Sequence, residues 1–308
     1  MSHRSIRTWF VTGASDGVGR EVCRQLLEKG CNVIAVARRI PEFGGDNALS
    51  LSADVTRPES IARAVEEGIA RFGSIDVLMN NAGISDYATC EETSAESMRR
   101  VMEVNFYGAF HTMQALLPHF RAQQHGAIIN NTSHSGLTPR SYGAAYCASK
   151  HALEGLTSSV WHDARRFCRV MAVELGFFPG TGIAKPPPGQ VTKYEEYEGI
   201  PPFYKRFSRS FRNDLETAVA FIISVAEKDK WPRRLMLGKD ALIQIDAELN
   251  SIRSDWHNAR PMALKCSIPT HDPNRVKFCG LTIFKKKDKG AYTRYCVLGF
   301  PFKVRKQV

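Results

Sequence analysis

The sequence has no unbroken apolar run approaching the ~18 residues that a membrane-spanning helix needs. Its first residues carry His3, Arg4 and Arg7 and run straight into Trp9-Phe10-Val11. They lack the apolar core of about 7–15 residues on which a secretory signal depends. None of the eight cysteines forms a C-x-x-C pair, so zinc-ribbon and thioredoxin-like chemistries lack their spacing and no metal site is expected. Eight thiols spread over 308 residues are too sparse for a disulfide framework and fit a reducing compartment. There is no internal repeat. With 43% hydrophobic and 24% charged residues the composition is that of a globular chain, which excludes collagen, coiled coil and wholesale disorder. The expectation is a soluble cytoplasmic protein without a transmembrane segment.

Acidic residues are scarce in one place only. From Ala259 to Val308 there are 12 basic and two acidic residues, which is +10 of the chain's +11. The remaining residues are almost neutral, so the high isoelectric point says nothing about nucleic acid binding by the main body.

Short apolar runs alternate with amphipathic stretches over the first 180 residues. Trp9–Val11, Val33–Val36, Ile75–Met79, Ala127–Ile129, Val170–Val173 and Arg234–Leu237 read as strands. Helices are expected over Arg20–Glu28, Ser60–Arg71, Met98–Phe120, Ala148–Arg166, Leu215–Glu227 and Lys239–Trp256. Strand–helix alternation of this kind implies parallel pairing through right-handed crossovers, and hence a doubly wound α/β sheet. Residues 185–214 interrupt it with Pro186-Pro187-Pro188 and Pro201-Pro202, and carry Tyr194, Tyr197, Phe203, Tyr204, Phe207 and Phe211. Beyond residue 257 the texture changes to a basic extension, read either as a hairpin around Lys287-Asp288-Lys289-Gly290 or as a disordered tail.

Thr12-Gly13-Ala14-Ser15-Asp16-Gly17-Val18-Gly19 follows the first strand and opens the first helix. Glycines there permit a tight turn, a close backbone approach to a pyrophosphate, and packing of helix on strand. The exposed helix N–H groups then face the phosphates. Tyr146 and Lys150 are four residues apart and so share a helical face. An ammonium beside a phenol favours the phenolate, so Lys150 is expected to draw the acidity of Tyr146 toward neutrality. Such a phenol suits proton exchange with an alcohol–ketone pair. Ser133 lies 13 residues earlier, just after a strand, where its hydroxyl can bond a substrate oxygen as charge develops.

Thr12–Gly19, Asn80-Asn81-Ala82-Gly83, Asn105, Ser133 and Tyr146-x-x-x-Lys150 stand in an order and spacing that resembles the short-chain dehydrogenase/reductase family over residues 5–257. The resemblance implies a Rossmann-like, seven-stranded parallel sheet in a catalytic domain of residues 1–257, with 258–308 as the basic extension. It implies hydride transfer between a nicotinamide and a carbonyl or alcohol carbon. Tyr146 would be the general acid/base. Lys150 would bind the nicotinamide ribose and tune Tyr146. Ser133 would polarise the substrate oxygen, and Asn105 would hold a water linking Lys150 to solvent. Gly13, Ser15, Asp16, Gly17, Val18 and Gly19 would cradle the pyrophosphate. Asn81, Ala82 and Gly83 would line the adenine ribose side, Asn81 also steadying the sheet, with Asp54 near adenine. The family's oligomers imply a homodimer or homotetramer.

The second strand ends Val36-Ala37-Arg38-Arg39, without the carboxylate that NAD users place there. An arginine at that point can pair with a 2′-phosphate, so NADP is expected over NAD. One departure concerns the family's Pro-Gly after the sixth strand. Either Leu175-Gly176 takes its place, with one residue inserted before Thr181, or Pro179-Gly180 is its displaced form. Thr181 is the candidate for the nicotinamide carboxamide. Residues 185–214 occupy the position of a substrate lid, and their aromatics suit a bulky apolar carbonyl or alcohol. The partner of the basic extension is left open. The rival reading is a non-enzymatic NADP-binding redox sensor or adaptor acting through that extension.

Overall fold

A computed structural model describes residues 8–179, 181, 183, 193–197 and 213–266, together with the backbone of 275–278, 281–289, 292–297 and 300–305. It divides into two compact units, one ending at Leu249 and one beginning at Asn250.

The first unit is a seven-stranded parallel sheet. Its strands are β1 Thr8–Thr12, β2 Asn32–Ala37, β3 Ala48–Ser52, β4 Val77–Asn80, β5 Ala127–Asn131, β6 Arg169–Leu175 and β7 Arg234–Leu237, in the order β3-β2-β1-β4-β5-β6-β7. The order reverses between β1 and β4. In a doubly wound sheet that reversal opens a crevice at the carboxyl ends of the strands. Phe10 stands opposite Ile34 on one side and Leu78 on the other, which fixes the register across the crevice.

The strands are apolar on both faces because both are covered. Trp9 and Val11 join Val22, Cys23 and Leu26 of α1 (Gly17–Glu28) and Val219, Ile222 and Ile223 of α6 (Leu215–Ala226) in one core. Phe10 turns the other way, with Ile61 and Val65 of α2 (Pro58–Phe72), Met113, Leu116 and Phe120 of α4 (Gly108–Gln123) and Leu153 of α5 (Ala144–Ala164). At about 1.5–3 kcal/mol for each fully buried large side chain, these two layers are the main source of stability.

Several elements differ from the sequence expectation, and α5 begins at Ala144, ahead of the expected Ala148. The helix expected over 98–120 is broken into α3 (Ala95–Met102), a π turn over Glu103–Tyr107, and α4. Wide turns of this sort gather at functional sites, and this one carries Asn105. Strand β3 was not foreseen, because its five residues A-L-S-L-S are only half-buried at the sheet edge and carry a weak apolar signal. The last helix, α7, runs over Lys239–Lys265 and continues past the expected stop at Trp256.

The second unit holds four antiparallel strands, β8 Arg275–Phe278, β9 Leu281–Lys289, β10 Tyr292–Val297 and β11 Phe300–Arg305, in the order β11-β10-β9-β8. Tyr292 of β10 pairs with Lys289 of β9. β8 and β9 pair with each other through a bulge at Val276/Lys277.

A buried ion cluster lies beneath α5. Arg234 Nε of β7 sits 3.1 Å from Glu154 Oε2 of α5 and 3.3 Å from Glu174 Oε1 of β6. Burial, and then the neighbouring Glu154 carboxylate, push the Glu174 carboxyl up to about 8 against the pull of Arg234. A carboxyl raised in the fold binds more protons there than in the unfolded chain. Stability therefore falls as pH rises from the ordinary carboxylate range toward 8. Glu174→Gln, neutral at every pH, is expected to flatten that decline. Urea midpoints measured between pH 5 and 8 check it, and parallel slopes for the two proteins would refute it.

Candidate functional site

The cleft at the sheet reversal has a volume of about 1280 Å³. That exceeds the ~300–1,000 Å³ of ordinary ligand pockets and leaves room for a dinucleotide together with a second molecule. Every expected site residue lines it except Gly19 and Asn105, which lie directly behind its wall.

The wall is built from the strand ends. Thr12, last residue of β1, accepts hydrogen bonds at Oγ1 from the backbone N–H groups of Asn81 (3.0 Å) and Ala82 (3.1 Å). Asn81 Nδ2 donates to the Thr12 and Gly13 carbonyls at 3.1 and 3.3 Å, and its Oδ1 accepts from Asn131 Nδ2 at 2.8 Å. One amide thus ties the ends of β1, β4 and β5 together. The glycine turn crosses this point with Gly13 at φ +66°, a left-handed conformation natural to glycine. A Cβ on Gly19 would lie 2.4 Å from the Gly13 carbonyl oxygen and 2.5 Å from Asn81 Nδ2. Asp16 caps α1 by accepting from Gly17 N at 2.7 Å, so the turn's amides converge on the helix N-terminus.

At the far end of the turn, Arg38 is exposed on the cleft wall just beyond β2, and Arg39 and Arg57 also line the cleft. Asp54 accepts from Thr56 N (3.0 Å) and Thr56 Oγ1 (2.8 Å). Burial opposes its ionisation, but these two bonds and the charges of Arg38 and Arg57 hold the carboxyl below its usual range. This end of the cleft is therefore cationic with one ionised carboxylate.

The reactive end is buried. Tyr146 and Lys150 project from the first turns of α5, and Ser133 stands at the end of β5 with φ +153°, a strained backbone for a serine. Ser133 and Tyr146 line the cleft together, and Ser133 Oγ accepts from Ser135 N at 3.1 Å. Lys150 Nζ donates to the Asn131 carbonyl at 2.8 Å and lies 5.7 Å from the centre of the Tyr146 ring. Burial pushes the Lys150 ammonium down to about 8, with Glu154 opposing.

The acidity of Tyr146 differs from the sequence expectation. Burial is the largest influence and raises the phenol above its ordinary range; Arg140 and Ser133 act in the lowering direction. Lys150 is not the principal cation on this ring. Arg140, which sequence reasoning passed over, lies 4.8 Å from the ring centre. Asn105 Oδ1 accepts from Ile84 N (2.8 Å), and its Nδ2 donates to the Ile84 carbonyl and Ser149 Oγ (both 2.9 Å), so the side chain braces the loop after β4 against α5.

Gly176 directly follows β6 and, with Leu175, lines the cleft. Its N–H donates to the Leu237 carbonyl, and a Cβ there would meet Asp240 Oδ1 at 2.2 Å. Gly180 lies outside the described residues. Thr181 donates to the Phe178 carbonyl at 3.0 Å and packs beside Gly17, where a Cβ would lie 3.4 Å from Thr181 Cβ. Of the expected lid over 185–214, residues 193–197 and 213–214 are described and the others lie outside. Tyr142 Oη donates to the Tyr197 carbonyl at 2.9 Å, and Lys193 N to Glu92 Oε1 at 2.7 Å. Among the described residues, no helix is long and apolar enough to cross a membrane.

Residues 7–188 match the family model of the short chain dehydrogenases. An uncharacterized oxidoreductase of Schizosaccharomyces pombe is 28% identical over 88% of this chain and 95% of its own length. A short-chain dehydrogenase structure from Streptomyces avermitilis superposes with a TM-score of 0.77 at 29% identity, covering 86% of this chain and all of that one. A Burkholderia cenocepacia short chain dehydrogenase solved with NADP superposes at 0.64 with 26% identity, over 82% of this chain and 97% of that one. A Brucella melitensis 3-ketoacyl-(acyl-carrier-protein) reductase solved with NADH gives 0.63 at 25% identity, over 75% and 96%. With the parallel sheet, the glycine turn and the Ser133–Tyr146–Lys150 grouping in one cleft, these likenesses leave one assignment: the chain belongs to the short-chain dehydrogenase family.

Proposed function

We propose that the protein is an NADP-dependent oxidoreductase that interconverts a carbonyl and a secondary alcohol on an apolar small molecule. The observation that carries this reading is the buried Tyr146, which shares one cleft with Ser133, Lys150 and the glycine turn and has the Lys150 ammonium 5.7 Å from its ring centre.

The cleft fits a nicotinamide dinucleotide. The Gly13–Gly19 turn would hold the pyrophosphate on its amides. Asp54 and Arg38 stand where the adenosine half would lie, and Lys150 is placed to bond the nicotinamide ribose. Hydride exchange with the substrate carbon is the chemistry such a cofactor supplies when bound.

The chain's own residues would manage the oxygen. Ser133 and Tyr146 would both bond the carbonyl oxygen, so negative charge developing there meets fixed donors in a water-poor pocket. Tyr146 would pass its proton to that oxygen in reduction and take one back in oxidation. Lys150, with an acidity near 8, is matched to restore that proton at neutral pH. Asn131 and Asn105 hold the frame: one anchors the Lys150 ammonium, the other locks Ile84. Tyr87, Ile84, Phe178 and Ile183 line the cleft beside these groups, which favours an apolar substrate.

NADP is favoured because Arg38, Arg39 and Arg57 border the cleft where β2 ends without a carboxylate. A bidentate guanidinium suits a 2′-phosphate. Arg38→Asp is expected to reverse the preference from NADPH to NADH by about tenfold or more, since a charge-assisted bond of ~1.5–3 kcal/mol is replaced by repulsion. The ratio of kcat/KM for the two cofactors, across a panel of apolar ketones and secondary alcohols followed by nicotinamide absorbance, checks both activity and preference. An unchanged ratio would move the phosphate-binding role away from Arg38; no turnover with either cofactor would remove the enzymatic reading.

A further inference from the structure

Arg140 sits in the loop between the short helical turn His134–Gly136 and α5, outside every motif of the sequence. Its guanidinium carbon lies 4.8 Å from the centre of the Tyr146 ring and 5.4 Å from that of Tyr87. Nη2 donates to Ser85 Oγ at 3.1 Å. The stem rests on Gly143, where a Cβ would come within 2.9 Å of Nε and 3.0 Å of Cγ. Just before that glycine, Tyr142 adopts a left-handed φ of +54° and donates its hydroxyl to Tyr197, which helps hold the loop in place. The cation is therefore seated by two rings, a hydroxyl and a glycine cradle.

Tyr87 and Tyr146 line the cleft, and Arg140 does not. Its charge lies against the Tyr146 ring, 4.8 Å from the ring centre. A guanidinium against an aromatic face is favourable with a neutral phenol and more favourable with a phenolate, whose added charge it neutralises.

We infer that Arg140 is a positioning residue for the proton-transfer step, a second cation built into the fold that stabilises the Tyr146 phenolate from outside the cleft. The inference deepens the reading of this site as an alcohol–ketone oxidoreductase and rests on it for its catalytic consequence. The groups facing Tyr146 are Ser133 from the end of β5, Tyr87 from the loop after β4, Cys147 and Lys150 from α5, and Arg140. Tyr87 and Cys147 oppose the phenolate, and burial opposes it most; Arg140 is the largest influence in its favour. Arg140 is also the nearer of the two cations to the ring centre, at 4.8 Å against 5.7 Å for Lys150.

The test has two readouts on the full chain. The first needs no substrate: the near-ultraviolet tyrosinate absorbance is titrated with pH in the protein and in its Tyr146→Phe variant, and the difference isolates Tyr146. Arg140→Met keeps the bulk of the stem and is expected to move that titration to higher pH by about tenfold or more in proton affinity, while Arg140→Lys restores most of the change. Titration of Arg140→Met together with the unsubstituted protein would overturn the inference. So would a failure of Arg140→Lys to restore the midpoint while circular dichroism shows it folded. The second readout is the pH profile of kcat/KM with the secondary alcohol of the panel that is turned over fastest. Oxidation requires the phenolate, so its acid limb should move to higher pH together with the titration. At neutral pH the rate should fall by the same factor, about tenfold for a tenfold rise in proton affinity. The same transition state serves both directions, so reduction at a given pH should fall with oxidation. A loss of rate that leaves the acid limb at the pH of the unsubstituted protein would mark Arg140 as merely structural. Turnover of no panel alcohol would remove the oxidoreductase reading, and the tyrosinate titration would still decide Arg140.

Discussion

Tyr146→Phe is expected to lower turnover by about 10²–10⁴-fold, the range general acid–base catalysis supplies, while nicotinamide dinucleotide binding survives. The ring is buried between Arg140 and the Lys150 ammonium, and phenylalanine keeps its volume. The fold therefore has no reason to yield. What is lost is one hydroxyl, the group proposed to exchange a proton with the substrate oxygen. Without it, a developing alkoxide in the pocket has Ser133 as its remaining donor and no acid to neutralise it. Steady-state kinetics in both directions, with cofactor binding followed by tryptophan fluorescence, check the prediction. Turnover at the level of the unsubstituted protein would show that the proton comes from elsewhere.

The second large effect is expected from Gly19→Ala. The methyl group would have to occupy space 2.4 Å from the Gly13 carbonyl oxygen and 2.5 Å from Asn81 Nδ2. The carbonyl belongs to the backbone of the turn and cannot swing away. Asn81 is the amide that joins the ends of β1, β4 and β5. Relief of the clash must open the turn, displace α1 from β1, or break Asn81's bonds. Overpacking of this kind costs about 1–3 kcal/mol in stability. The larger loss should fall on the cofactor, because the amides that would hold a pyrophosphate are carried by the turn that moves. At least tenfold weaker dinucleotide binding is expected, from about 1.4 kcal/mol of lost contact. Calorimetric titration with NADPH and NADH measures it. Full affinity in a folded Gly19→Ala protein would mean that the turn does not hold the phosphates.

The sequence and the structure agree where the physics is local. The run Trp9–Val11, the glycine turn and the periodic face of α1 are adjacent in the chain, and their apolar pattern specifies strand, turn and helix without help from elsewhere. The pairing of Tyr146 with Lys150 follows from one helical turn. The seven-stranded parallel sheet rested on the family resemblance for its seventh member, since Ala48–Ser52 offers two leucines at a half-exposed edge and little else.

What escaped the sequence depends on neighbours far along the chain. The π turn at Asn105 accompanies a contact with Ile84, 21 residues away. Arg140 reaches Ser85 across 55 residues, and no pattern within its own loop marks it. The acidity of Tyr146 was misjudged for the same reason. The spacing to Lys150 was visible, but the burial that outweighs it is a property of the assembled cleft. The length of α7 is a different case: its exposed Leu249, Ile252 and Trp256 lie where the apolar periodicity fades, so the pattern gave no clear stop.

The most direct measurement of the central claim follows a label. NADPH deuterated at the reactive nicotinamide carbon is incubated with the protein and the ketone of the panel that is turned over fastest, and the product alcohol is analysed by mass spectrometry and NMR. The account predicts deuterium on the carbinol carbon from the unsubstituted protein and label transfer slowed by about 10²–10⁴-fold in Tyr146→Phe. An unlabelled alcohol, or equal labelling by Tyr146→Phe, would contradict it.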